Sequence, residues 1–236
     1  MRLVAEAGLR SLGIEEVLTA EAEHVFASAE LPMELQVMEE VIFRHAAEGI
    51  PSFPETSERL YGERNLQKLC GNEPVSALEQ SRNALKKGQR PRNTFDGILT
   101  MNLLETGVPF LALNEKKIEP PLVLTRRNEK MILKDYSGIL AENGRLIRRS
   151  DEVKEGVSEV FLIALGNPYL PIMEQEEALH HLEADLRMAM PYLSLAIHHE
   201  PVQPEPSQCF CMPERLWRPD GRRIREEERI QNSRIV

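Results

Sequence analysis

Two histidine pairs and a late cysteine pair are the side chains with the most obvious chemistry. His198, His199, Cys209 and Cys211 combine imidazole and thiol, the usual ligands of zinc. Cys-x-Cys spacing suits one tetrahedral ion less well than Cys-x-x-Cys, and adjacent histidines point in different directions on a regular element, so no metal and no cofactor is expected. His180 and His181 lie beside Leu179 and Leu182 on a helical stretch, which turns one ring toward the core and the other toward solvent. With no partner visible in the sequence, they read as packed or capping rings. The phosphate-binding glycine loop, the dinucleotide fingerprint, His-Glu-x-x-His and Gly-x-Ser-x-Gly are all absent. Their absence argues against nucleotide hydrolysis and the common serine-hydrolase chemistry.

A second group of polar residues lies mid-chain. Asn93 precedes a helical pattern and Asp96 follows three positions later, which reads as a cap and a carboxylate stabilising a helix start. Asn102 sits six residues beyond Asp96 within an apolar run. On a continuous helix the two point in different directions, and an amide in such a run implies burial with hydrogen-bond partners. Gly107-Val108-Pro109 ends the helix and starts a strand.

Charge is unevenly spread along the 236 residues. The net charge of −9 argues against a generic nucleic-acid coat. Acids dominate up to Leu60, but residues 82–149 are basic, with Lys86, Lys87, Arg90, Arg92, Lys116, Lys117, Arg148 and Arg149 among them. Gathered on one face, these would attract RNA; dispersed, they are an ordinary solvated surface. No apolar run is long enough to span a membrane. Arg2, Glu6 and Arg10 interrupt the N-terminal apolar residues, which breaks the centre a signal peptide needs. Three cysteines are too few for a disulfide framework. A cytoplasmic protein is expected.

The elements that must position these residues follow from periodicity. The N-terminal third reads as helices, with Leu35, Met38, Val41, Ile42 and His45 at helical spacing and Gly49 followed by Pro51 as a stop. Thr56 and Ser57 start another helix. Ser76 with Glu79 forms a capping box, and that helix stops at Gly88. After Gly107 the period changes to short strand-like runs at 109–113, 122–125, 130–133, 145–148 and 157–165, with Asn143-Gly144 as a hairpin turn. A helix returns at 174–190. The reading is an α+β fold in which N-terminal helices pack on a mostly antiparallel or mixed sheet. It comprises one domain over residues 1–200 and a Pro-linked, Arg- and Glu-rich arm over 201–236.

The segment 81–118 carries a resemblance. It contains Ser81-x-Asn83-Ala84-Leu85, Pro91-Arg92-Asn93-x-x-Asp96, Asn102, Gly107-x-Pro109 and Ala112-x-Asn114-x-x-Lys117-Ile118. In order and spacing this is similar to the editing module of the phenylalanyl-tRNA synthetase beta subunit, the B3/B4 tRNA-binding domain family, and more so to its freestanding relatives. The likeness runs over residues 77–166, where Gly138, Arg148, Arg149 and an apolar strand follow the family order. The family's pocket histidine is replaced here by Leu111 and its aspartate by Asn114. Freestanding relatives commonly lack that histidine too. A Trp-Asn pair usual after the arginine pair is also missing.

The resemblance implies a freestanding protein that recognises an aminoacyl group, on tRNA or as an amino-acid-like ligand, and hydrolyses mischarged aminoacyl-tRNA. Asn93, Asn102 and Asn114 would then contribute to the pocket, and Arg148 and Arg149 would contact the tRNA end or a carboxylate. Lys86, Lys87, Arg90, Arg92, Lys116 and Lys117 would contact RNA. The alternative is a non-catalytic amino-acid or RNA binding module on the same fold. The catalytic residue and the oligomeric state stay open.

Overall fold

The computed structural model describes residues 3–27, 30–50, 57–70, 75–147, 152–154, 156–165 and 170–204, with side chains from 62 onward in the third of these. The chain divides into two units, Met1–Gln203 and Pro204–Val236. In the second unit only Pro204 falls among the described residues, so the arm expected over 201–236 lies almost wholly outside them.

The first unit is α+β, with two mostly antiparallel sheets. Its chain begins with strands, which corrects the all-helical reading of the N-terminal third. Strand β1 (Leu3–Ala5) leads through a 3-10 helix, Ala7–Leu12, into β2 (Glu16–Glu23). Helices α1 (Met33–Glu48), α2 (Ser57–Leu69), α3 (Ala77–Lys86) and α4 (Thr94–Thr106) follow. Next come β3 (Phe110–Asn114), a short 3-10 turn Glu115–Lys117, and β4 (Leu122–Arg127). Then β5 (Lys130–Asp135), β6 (Gly138–Glu142), β7 (Arg145–Leu146) and β8 (Glu159–Ala164) lead to α5 (Ile172–Ala189) and β9 (Ser194–Pro201). Strands β1, β2, β6 and β9 have no counterpart in the strand runs read from sequence.

One sheet has the order β3-β8-β2-β9 and is antiparallel throughout. Its two faces explain its sequences. Ala20, Leu162 and Ala112 stand in register across β2, β8 and β3 and belong to the cluster that packs on Phe43 of α1, Ile98 and Met101 of α4, and Leu182 and Leu186 of α5. The next residues along, Leu111 and Ile163, turn the other way, because successive strand side chains point to opposite faces. They join Leu113, Phe161 and the apolar face of the second sheet, whose order is β1-β4-β5-β6-β7 with β1 parallel to β4. Strand β8 is therefore buried on both sides, which is why it reads as an unbroken apolar run. Each fully buried Leu or Phe of these layers contributes about 1.5–3 kcal/mol.

Local signals place the helices around this sandwich as read. Ser76 Oγ accepts from Glu79 N at 3.1 Å while Glu79 Oε2 accepts from Ser76 N at 2.9 Å. Gly107 ends α4 in the left-handed conformation. At the β6–β7 turn, Asn143 and Gly144 both have positive φ, 52° and 77°, the geometry of a tight hairpin.

Candidate functional site

Helix α4 is the element on which the site is built. Asn93 caps it, its side-chain oxygen accepting from Asp96 N at 2.8 Å while its amide donates to Val153 O at 3.3 Å. That cap sets the helix phase so that Asp96, Leu99, Thr100 and Leu103, at i, i+3, i+4 and i+7, share one face. This face meets Pro109 and Phe110 at the start of β3, and together they bound a cleft of about 390 Å³. The volume falls in the range of roughly 300–1,000 Å³ typical of small-ligand sites. Leu165 and Gly144 complete it on the sheet side, and Arg90, Pro91 and Arg92 from the α3–α4 connection close the other side.

The cleft is lined by both polar and apolar side chains. Leu99, Leu103, Phe110 and Leu165 form an apolar wall. Asp96 is the only carboxylate among the described lining residues, with its side chain 23% exposed. Arg92 Nε donates to Asp96 Oδ2 at 3.1 Å, and a second nitrogen of the same guanidinium lies 2.9 Å from Glu152 Oε2. Burial raises the Asp96 carboxyl above its ordinary range, and the Arg92 charge offsets part of that rise. Thr100 donates its hydroxyl to Asp96 O at 2.7 Å, which leaves the oxygen's lone pairs to accept. Arg90 stands over the Phe43 ring at 5.3 Å and lies 3.4 Å from Glu40.

The cleft thus offers one anionic point, two guanidinium groups and an apolar surface. That combination suits a small zwitterion or an ammonium-bearing ester with an apolar side chain. No family model matches the chain, and no curated protein matches it.

The residues singled out from sequence are dispersed. Asn102 is fully buried on the opposite flank of α4, where its amide donates to Ala178 O of α5 at 2.9 Å. Asn114 lies at the far end of β3 and accepts from Lys116 N at 3.2 Å. Asn93, as described, is committed to capping. None of these three asparagines is among the residues that line the cleft. Arg148 and Arg149 lie outside the described residues.

The basic residues fall into two groups. Lys86 and Lys87 end α3, and Arg90 and Arg92, which follow them in sequence, line the cleft. Lys116 and Lys117 lie in the 3-10 turn after β3, whose far end is about 13 Å from Phe110 at ~3.3 Å per residue. There Lys116 is paired with Glu159 at 3.0 Å and donates to Ser158 Oγ at 3.1 Å.

Leu111 is buried between the two sheets rather than in the cleft. A small space of about 10 Å³ beside it is lined by Leu124, Met131, Leu133 and Ile163. His198 and His199 are consecutive on β9, with His199 Nδ1 2.9 Å from Glu16 Oε1. Their proposed cysteine companions lie outside the described residues.

Asp96, Thr100 and the apolar face beside them were not recognised as a site from sequence. The signal was present as a polar pair within the i, i+3, i+4, i+7 stripe of an otherwise apolar helix, but capping accounts for Asp96 equally well. Among the described residues no helix is long and apolar enough to cross a membrane.

Proposed function

We propose that the protein recognises an aminoacyl group in the cleft between α4 and β3, in the manner of the freestanding synthetase editing modules that residues 77–166 resemble. The observation that carries this reading is the pairing of Asp96 with an apolar wall at one cleft. The carboxylate accepts the α-ammonium, and Leu99, Leu103, Phe110 and Leu165 receive the amino-acid side chain. Arg90 and Arg92 face the acyl end, where a carboxylate or the phosphates of a tRNA terminus would sit. Lys86 and Lys87 extend this positive border along the nucleic acid.

When the ligand is an ester on tRNA, the reaction is hydrolysis. An aminoacyl ester is already activated, so positioning it beside water while excluding the wrong side chain supplies much of the selectivity and rate. Pure protein incubated with a panel of mischarged tRNAs tests this directly. The reading requires release faster than the spontaneous rate for at least one aminoacyl-tRNA.

A second reading, binding without turnover, is favoured by one observation. No imidazole is found among the described residues that line the cleft, and Leu111 points between the sheets. It predicts thermal stabilisation by an amino acid or a stable aminoacyl analogue together with spontaneous-rate release.

A further inference from the structure

The flank of α4 that faces away from the cleft carries a second cluster. Glu105 near the end of α4 meets His181 and Asp185 of α5, and one ligand atom from each lies within 4.8 Å of the others. His181 and Asp185 are four residues apart on α5, so they project from one helix face. His181 Nδ1 is 3.6 Å from Asp185 Oδ2 and 4.0 Å from Glu105 Oε2. These separations are too long for charge-assisted hydrogen bonds, which run about 2.7–2.9 Å. They approach the spacing of two ligand atoms on one tetrahedral ion, about 3.4 Å for bonds of ~2.1 Å.

Two further observations point to a cation. Asp185 Oδ2 is buried without a hydrogen-bond partner, on a side chain only 7% exposed, and Glu105 Oε2 is likewise buried and unbonded. A buried carboxylate oxygen in that state is costly unless a positive charge meets it. The orientation of Asn102 also matters. Its amide nitrogen must face Ala178 O, a pure acceptor, at 2.9 Å, and the same nitrogen lies 3.4 Å from His181 Nδ1. A donor on that side suits an Nδ1 that offers its lone pair. This nitrogen and the two carboxylate oxygens are then three acceptor atoms within reach of one ion.

We infer that Glu105, His181 and Asp185 form a site for a divalent transition-metal ion, zinc being the best fit to one imidazole nitrogen and two carboxylate oxygens. The ion ties the end of α4 to α5 and leaves coordination positions for water on the side where His181, 44% exposed, reaches solvent. Because α4 also carries Asp96, Leu99, Thr100 and Leu103, the metal steadies the wall of the cleft from behind. The inference does not depend on what that cleft binds.

The test uses the full chain purified without a polyhistidine tag, stripped with chelator and titrated with zinc chloride by calorimetry and thermal unfolding. One equivalent is expected to bind and to raise Tm. Loss of a mere outer-sphere partner costs about 10–100-fold in metal affinity, so Asp185→Asn and His181→Ala are each expected to weaken binding by more than about a hundredfold. Asp185→Asn removes a buried charge whose burial cost His181 offsets only in part, so the metal-free variant should fold at least as stably as metal-free wild type. The double change Cys209→Ser with Cys211→Ser should leave the titration unaltered, and a cobalt-loaded sample should lack thiolate-to-metal charge-transfer absorption. Absence of zinc binding overturns the inference. So does a titration unchanged in Asp185→Asn, or one abolished by the cysteine changes.

Discussion

Arg92 donates through Nε to Asp96 Oδ2 at 3.1 Å, one turn along the start of α4, while its other end is held 2.9 Å from Glu152. The guanidinium is thus fixed by two carboxylates, and Asp96 is held in the lining of the cleft. Substituting Asp96→Asn keeps the shape and removes the charge. Hydrogen bonds to charged groups contribute ~1.5–3 kcal/mol, so affinity for an amino acid or a non-hydrolysable aminoacyl analogue is expected to fall roughly tenfold to a hundredfold. Calorimetry with the hydroxy-acid counterpart, which lacks the ammonium, gives the control. Wild type should discriminate strongly between the two ligands and Asp96→Asn weakly.

The pH dependence of binding follows from the same carboxyl. Burial raises it, with Arg92 lowering it in part. Binding an ammonium requires the ionised form, so affinity should be flat at neutral pH and decline on acidification through the raised pKa. The decline should therefore begin at higher pH than for an ordinary aspartate near ~3.9. In Arg92→Ala the compensating charge is gone, and the fall should move to still higher pH. Affinity measured against pH for both proteins checks the direction.

Asn102 separates stability from binding. Its amide is buried on the α5 side of α4, so Asn102→Ala removes a buried hydrogen bond and leaves space behind. A loss of about 1–3 kcal/mol in urea unfolding is expected. Ligand affinity in metal-free protein should stay within about twofold, a factor that corresponds to ~0.4 kcal/mol and is small beside that loss. A large affinity loss without destabilisation would mean that the asparagine touches ligand.

The capping box of α3 makes a further prediction. Ser76→Ala should cost about 1 kcal/mol. Glu79 is held down to about 2, first by its hydrogen bond from Arg64 and then, against the opposing cost of burial, by its bonds to Ser76. A carboxyl lowered in the folded state stabilises it fully above the ordinary value near 4.5, and that contribution is lost as pH falls toward 2. Glu79→Gln should accordingly be less stable than wild type at neutral pH, with the gap closing across this acid window. Denaturant unfolding at several pH values measures it.

Several features were legible in the chain because they are local. Ser76 with Glu79, Asn93 before α4, Gly107 after it, and Asn143-Gly144 each satisfy a backbone requirement within a few residues. The change from helical to strand period after Gly107 was enough to set the α+β class. Strand β2 was not legible. Its sequence, Glu-Val-Leu-Thr-Ala-Glu-Ala-Glu, is rich in residues that favour helix, and it becomes a central strand because β8 and β9 pair with it on both sides.

The site divides along the same line. Sequence alone determined that α4 starts at Asn93, stops at Gly107 and carries a polar pair among apolar residues, since caps and periodicity act over one or two turns. Only the tertiary structure decided that Asp96 looks into a cleft with Phe110 and Leu165 while Asn102 looks away toward Ala178. The choice depends on which side of α4 meets the sheet and which meets α5. It also brought Glu105 to His181 and Asp185, 76 and 80 positions further along the chain. Burial in the assembled core fixes the helix's rotation, and no window of the sequence short enough to read contains both partners of that contact.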